Sequence, residues 1–230
     1  MNEHRDKRTV LRMTLLQRID HALLALFLLL LIASGLALAY HDQAWAKALI
    51  GLMGGIKGRG ILHRTAAIGL VFVGLVHFGG LLFSERHQSD FRALWFKRSD
   101  LTEAWRGWVY GLTGKGKPPY YGRFRPMQKI QYWGILVGCL VMAVSGFVLW
   151  SPQASLAVFP KYVYDLMLVI HSEEAQLIFV LLILWHLYDV HVAGGNFPMN
   201  TAWLTGRIKA DQFKNQHPAE WDRLEKEERE

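Results

Sequence analysis

Four stretches of this 230-residue chain, 19–40, 61–83, 130–150 and 166–192, are apolar for long enough to cross a hydrocarbon layer. A helix needs about 20 residues to span a core about 30 Å thick. Lipid offers the backbone no water to bond, so a spanning segment must be a helix or part of a closed barrel. These runs are continuous and not alternating, which predicts helices. The expected fold is all-α, a transmembrane four-helix bundle over 19–192, with cofactors held between the helices. Polar segments at 1–18 and 193–230 flank it, and 84–129 is the one long connection.

The formal net charge is +7, and its distribution says why. With both termini inside, segments 1–18, 84–129 and 193–230 hold 21 of the 26 Lys and Arg. The outer loops keep only Lys47, Lys57, Arg59 and Lys161. That asymmetry is the positive-inside pattern, so no nucleic-acid partner is needed to explain the charge. The expected location is the bacterial inner (cytoplasmic) membrane, multi-pass, with both termini cytoplasmic. Residues 1–18 carry Arg5, Lys7, Arg8, Arg12 and Arg18 ahead of the first run, and Ala37-Leu38-Ala39 resembles a signal-cleavage site. The run is longer than a signal core and contains His21, so a retained anchor is expected. The lone Cys139 excludes intrachain disulfides and thiolate clusters, and without a C-x-x-C-H any haem is held non-covalently.

Outside the runs, Gly51, Gly54-Gly55, Gly58 and Gly60 promise tight turns in the outer loop 41–60. Asp100-Leu-Thr-Glu103 reads as a capping box. Leu101, Trp105, Trp108, Val109 and Leu112 then follow at helical spacing, predicting an amphipathic helix in the inner interface that ends within 114–119. Gly194-Gly195 and Pro198 lead to a charged tail, read as a solvated helix or disordered and assigned no chemistry.

Chemistry enters with the histidines. His171 and His186 are 15 residues apart, which puts them about 60° apart around a helix and about 22 Å apart along it. His63 and His77 are 14 apart, about −40° and about 21 Å. Topology assigns depth: His63 and His171 lie near the outer face, and His21, His77 and His186 near the inner. The bland reading of one intramembrane histidine is an interhelical hydrogen bond, and a haem-free transporter or anchor could use several as a proton relay. Ligands stacked at two matching depths favour two haem b groups instead. The outer pair is His63 with His171, and the inner is His186 with either His21 or His77. Two histidines fill both axial positions, which favours electron transfer over oxygen binding. A stand-alone haem b oxidoreductase is a further alternative. His191 lies about 140° round from His186: it faces a partner or, with His77, holds a third haem. Arg18 and Arg64 suit haem propionates. Glu173 and Glu174, just inside a span, mark a proton path or simple solvation.

The chain also repeats itself. SGLALAY, LH at 62–63 and a His 14 residues on are matched by SGFVLWS, IH at 170–171 and a His 15 residues on. Each half is one hairpin of two helices, giving a parallel repeat. Ser34-Gly35 and Ser145-Gly146 sit at equivalent depths, where small residues admit a neighbouring helix or a flat macrocycle. Symmetry taken alone pairs His63/His77 and His171/His186 between the second and fourth helices.

The ordered motifs resemble the cytochrome b, or gamma, subunit of membrane-bound formate dehydrogenases, with partial likeness to cytochrome b subunits of nickel–iron hydrogenases and of cytochrome c-linked complexes. They are R-x-x-H then S-G (Arg18, His21, Ser34-Gly35), G-R-x-I-L-H ending at His63, Gln128-Lys129 before Trp133, I-H…H-x-Y (His171, His186, Tyr188) and H-P-x-x-W (His217, Pro218, Trp221). The resemblance implies pairs His21–His186 and His63–His171, and a quinone pocket beside the inner haem. It implies a respiratory subunit that moves electrons between quinone and a partner, an iron–sulfur or multihaem cytochrome c subunit with a separate catalytic subunit. The family's Asn before the Gln-Lys pair is absent here, where Arg125-Pro126-Met127 stand; Arg125, Gln128 and Lys129 are therefore the quinone-site residues. His77, Glu173, Glu174 and His191 also depart from the family pattern. Reporter fusions at each end should both read cytoplasmic, and a periplasmic C-terminus would remove the depth assignment with the topology.

Overall fold

The computed structural model describes residues 9–193 and 196–229. Arg5, Lys7 and Arg8, the Gly194-Gly195 pair and the final Glu230 lie outside the described residues. In chain order the elements are β1 (Thr9–Leu11), α1 (Leu15–Ala39), α2 (Ala44–Leu52), α3 (Gly55–Phe83), α4 (Glu85–Leu94), α5 (Arg98–Thr113), α6 (Pro126–Leu149), α7 (Pro152–Val158) and α8 (Lys161–Val180). A π turn (Leu181–His186) then joins α8 to α9 (Leu187–His191), followed by α10 (Ala202–Thr205), β2 (Arg207–Lys209), α11 (Ala210–Gln216) and α12 (Pro218–Glu227). α1, α3, α6 and the continuous stretch Lys161–His191 are the four candidate membrane spans. The all-α expectation holds, with one short antiparallel ribbon added, β1 with β2.

The spans leave most of their own surface open. The chain buries only 6% to 17% of the most apolar stretch of each, an exposure that requires lipid or other apolar cover, not water. Among the described residues the backbones of different spans are not in close contact along their lengths, so the spans meet through side chains.

Two sequence expectations need correction. α3 begins at Gly55, ahead of the apolar run, because Gly54 and Gly55 take positive φ (83° and 79°) and turn the chain directly out of α2. Gly51, Gly58 and Gly60 are helical and make no turn; Gly58 instead lets the Met53 carbonyl approach, where any Cβ would collide. Asp100 does not begin α5 either. The helix starts at Arg98, and the Asp100 carboxylate reaches back to accept the Lys97 N–H at 2.7 Å. Glu103 is thereby freed to accept from Arg106 and from the Tyr120 N–H. No residue of α5 is buried, and Leu101, Trp105, Trp108 and Leu112 form an exposed apolar stripe.

The chain forms two compact units: Met1–Arg18, Gly79–Gly134 and Asp189–Glu230 make one, and Ile19–Phe78 with Ile135–Tyr188 the other. The first contains a packed tail, contrary to the solvated reading. Val10 pairs with Ile208 across the ribbon, and Ile208, Ala210, Phe213 and Trp221 form a small core with Val10 and Leu224 against it. A charged composition hid this because the apolar residues are few and their partner strand is about 200 residues away. Pro218, which has no N–H to continue α11, breaks the chain into α12. Arg123 grips the buried Asp90 at 2.6 and 3.1 Å, with Gln17 donating at 2.8 Å. Burial alone would raise the Asp90 carboxyl; Arg123, Gln17 and Arg86 outweigh it and hold it below the ordinary range.

His217 is buried between α11 and α12, its ring over Phe213 at 5.3 Å and its Nδ1 donating to the Gly122 carbonyl at 2.7 Å. Burial, reinforced by Arg12, Arg125 and Arg123, pushes it down to about 3. A histidine depressed this way stabilises the fold fully above its ordinary pKa, and the benefit is lost as pH falls from about 6.5 towards the folded value. Hydrogen-exchange protection in α11 and α12, corrected for the intrinsic pH dependence of exchange, should therefore fall between about pH 7 and 5. His217→Asn, which keeps a donor for Gly122 but cannot titrate, should flatten that dependence.

Candidate haem-ligand sites

The second unit contains the four histidines that matter most. On the side that the charge pattern of the sequence assigns as outer, His63 of α3 and His171 of α8 lie with ring centroids 6.3 Å apart and planes at 69°. Each is steered by a serine on the helix that precedes it in its own half of the repeat. Ser34 Oγ lies 2.8 Å from His63 Nδ1, and Ser145 Oγ lies 2.9 Å from His171 Nδ1. The glycine after Ser145 makes room for the ring, since a Cβ on Gly146 would come within 3.1 Å of His171 Cε1, whereas one on Gly35 would sit at an ordinary contact distance of 3.8 Å from His63 Cε1. The repeated Ser-Gly pair is thus a seat for a histidine, a role that its spacing alone did not reveal.

On the inner side, His21 of α1 and His186 stand 6.1 Å apart with planes at 40°. His186 closes the π turn, in which the Leu187 N–H bonds to the Leu182 carbonyl five residues back. A π turn inserts one residue and rotates everything after it by about 100° relative to an unbroken α-helix. The 15-residue step from His171 to His186 therefore spans about −40°, not about 60°, and matches the 14-residue step from His63 to His77. The offset relating Ser34 to Ser145 puts Tyr132 at the register of His21. The repeat therefore carries an inner first-helix histidine in one half only.

Both ring pairs fit a single metal between them. Two imidazoles binding iron from opposite sides at about 2.0 Å each, with centroids about 1 Å behind the nitrogens, stand about 6 Å apart. His21 Nδ1 is buried without a hydrogen-bond partner among the described residues. Among those residues there is no cluster of three or more His, Cys, Asp or Glu able to hold a bare metal ion, so two ligands per site fit a cofactor that brings its own equatorial donors. His21 with His186 and His63 with His171 would hold it.

The other sequence-derived residues are placed as follows. Arg18, one turn before His21, donates to the Leu204 carbonyl while its Nε is buried without a partner among the described residues. Arg64 donates to the Trp150 carbonyl at 3.2 Å and lies over the Trp150 ring. Arg59, one turn before His63, has a buried Nε with no partner among the described residues, which makes it the outer counterpart of Arg18. Sequence reasoning had counted it only as a loop charge, because α3 had not been extended back to include it. His77 packs against Phe78 at 5.9 Å, and His191 has a buried Nδ1 without a partner among the described residues. Glu173 is exposed, whereas Glu174 turns against Gly138, where a Cβ would come to 2.7 Å of its carboxylate.

In the first unit, Arg125 pairs with both Asp189 oxygens at 2.7 and 2.9 Å. Gln128 accepts the Arg125 N–H at 3.0 Å and so caps α6 through its oxygen. Lys129 is buried against Asp100 (2.8 and 3.0 Å) and the Trp95 carbonyl. Arg125 and Lys129 are thus held by carboxylates.

Comparison with known proteins bears on the same residues. A family model described as prokaryotic cytochrome b561 matches residues 12–194. The chain is 26% identical over 214 residues to the Escherichia coli (strain K12) protein named formate dehydrogenase, cytochrome b556(fdo) subunit, covering 91% of this chain and 90% of that one. It is 28% identical over 105 residues, 46% of each chain, to the nitrate-inducible formate dehydrogenase cytochrome b556(Fdn) subunit of the same strain.

The π turn makes the inner pair sensitive to register. Because the turn already absorbs one extra residue, deleting Leu184 leaves His186 at the same azimuth, whereas inserting an alanine after Leu184 should swing it about 100° away from His21 and lose one cofactor while the outer pair keeps its own. Pigment per chain in purified protein would show the loss, and an unchanged count would mean that the turn does not aim His186.

Proposed function

The chain belongs to the prokaryotic cytochrome b561 family, and on that premise we propose that it is the haem b subunit of a respiratory oxidoreductase complex. It is a multi-pass membrane protein whose cofactor is haem b. In the proposed role it carries electrons between a partner's redox chain and the quinone pool. Its own residues supply no primary-substrate chemistry. The observation that carries the reading is the two histidine pairs, 6.1 and 6.3 Å between centroids, which the span Lys161–His191 makes with α1 and with α3.

When bound, haem b supplies a one-electron iron couple. His63 with His171, and His21 with His186, would each hold one haem iron, and two histidines on each iron would favour electron transfer over oxygen binding. Arg59 and Arg18, each one turn from a ligand, are the cations that would meet propionates; Arg64 is the alternative on the outer side. The proposed quinone site uses the Gln128 amide nitrogen and the buried Arg125 Nε, which has no hydrogen-bond partner among the described residues. Lys129 contributes by holding α6 against the connecting segment. The proposed orientation puts both termini in the cytoplasm, and α5 lays its tryptophan stripe in the inner interface. The proposed partners are an iron–sulfur or multihaem cytochrome c subunit and a catalytic subunit, in line with relatives named as formate dehydrogenase subunits. A third haem on His77 and His191 is not part of the proposal.

Purified protein reduced with dithionite should show a haem b band from two haems per chain. His21→Ala should remove one of them and His77→Ala neither. A protein without the band would end the reading, and the reverse outcome for the two variants would restore the symmetric alternative, in which His77 and not His21 pairs with His186.

A further inference from the structure

We propose that Ser34 and Ser145 are positioning residues that tune the outer haem. Each fixes its histidine in the iron-ligating tautomer and, by accepting the Nδ1 proton's hydrogen bond, makes that imidazole a stronger electron donor. The inference rests on the reading of His63 and His171 as axial ligands.

The hydroxyl protons decide the tautomer. Ser34 Oγ is 2.6 Å from the Leu30 carbonyl and Ser145 Oγ is 2.7 Å from the Val141 carbonyl, each one helical turn back. A serine has one proton to give, and a carbonyl oxygen can only accept. The proton of each hydroxyl is therefore committed to its own helix. The contacts to His63 and His171 at 2.8 and 2.9 Å must then use a proton on Nδ1, so each Nε2 keeps a free lone pair. Ser34 and Ser145 are 0% and 1% exposed, so water cannot take over the acceptor role. The arrangement is built twice, once in each half of the repeat, with a glycine beside it each time. At the inner pair the buried His21 Nδ1 has no acceptor among the described residues.

A hydrogen-bond acceptor on the far nitrogen of a ligating histidine fixes the ring and raises its basicity. A more basic ligand stabilises the oxidised metal, so the two serines lower the outer haem's reduction potential relative to the same site without them.

Redox titration of the purified holoprotein tests this, following the haem b band against potential in wild type, Ser34→Ala, Ser145→Ala, the double variant, Ser34→Cys and Ser145→Cys. Cysteine keeps the volume of serine but its sulfur is a poor acceptor. His171→Ala first identifies which wave belongs to the inner haem. The expected result is an upward shift of the outer wave in each alanine variant and a larger one in the double variant. Cysteine variants should behave like alanine, and the inner wave should stay in place. Loss of the outer haem from alanine and cysteine variants alike also supports the proposal. An outer wave that does not move overturns it. So do cysteine variants indistinguishable from wild type where alanine variants shift or lose haem, because packing then explains the effect. A wild-type protein with fewer than two haems overturns the underlying ligand reading instead, before any serine is changed.

Discussion

A polar side chain inside hydrocarbon must find its partner within the protein, because no water is there to substitute. In this chain that constraint falls hardest on the paired histidines. Each of the outer two has two ring nitrogens to satisfy; Ser34 and Ser145 satisfy one apiece, which leaves one nitrogen on each of two rings whose centroids are 6.3 Å apart. Those serines are themselves satisfied by carbonyls of their own helices, a bond that costs the helix little and anchors the hydroxyl. The chain from backbone carbonyl to hydroxyl to imidazole ties each outer ligand to the helix preceding it in its hairpin. The proposed cofactor geometry depends on that rigidity, since a ligand loosely held in lipid could equally well hydrogen-bond elsewhere.

The repeat explains how the sites arose as a pair and also why they differ. Duplicating one hairpin copies the Ser-Gly seat and the histidine it holds, so the outer site has near-symmetric ligands. The inner site lacks that symmetry. Tyr132 occupies the register at which the first half carries His21, so duplication provides only one first-helix ligand there. The π turn compensates for the longer histidine spacing of the second half and returns His186 to the register that His77 has in the first. π turns disrupt regular hydrogen bonding and persist chiefly at functional positions, in keeping with its place immediately before a proposed ligand.

The unit formed by the termini and the long connection follows different physics. It is polar, and its order comes from a few enclosed contacts: the Phe213 and Trp221 core, Arg123 on Asp90, Lys129 on Asp100, and neutral His217 against Gly122. Breaking one member of such a buried pair costs more than its formation gains, because the survivor is left charged without a partner. Exposed pairs on α12, such as Arg223 with Glu227, contribute far less. Two residues read from sequence as quinone ligands, Arg125 and Lys129, turn out to hold this unit together.

The sequence by itself determined the four spans, since twenty apolar residues in a row have almost no alternative but a membrane helix. It also determined the set of histidines from which ligands could be drawn, because depth follows from counting along those helices. The choice of His21 over His77 beside His186 belonged to tertiary structure, since it turns on azimuth and a single π turn shifts azimuth by about 100° without leaving any compositional trace. The Ser-Gly seats were visible as a repeated dipeptide, yet their function appears only when α1 meets α3 and α6 meets α8, for no local pattern says which distant ring a hydroxyl will touch. Arg59 and the packed tail were missed for the same reason. Their significance lies in burial, and burial is decided by partners remote in sequence.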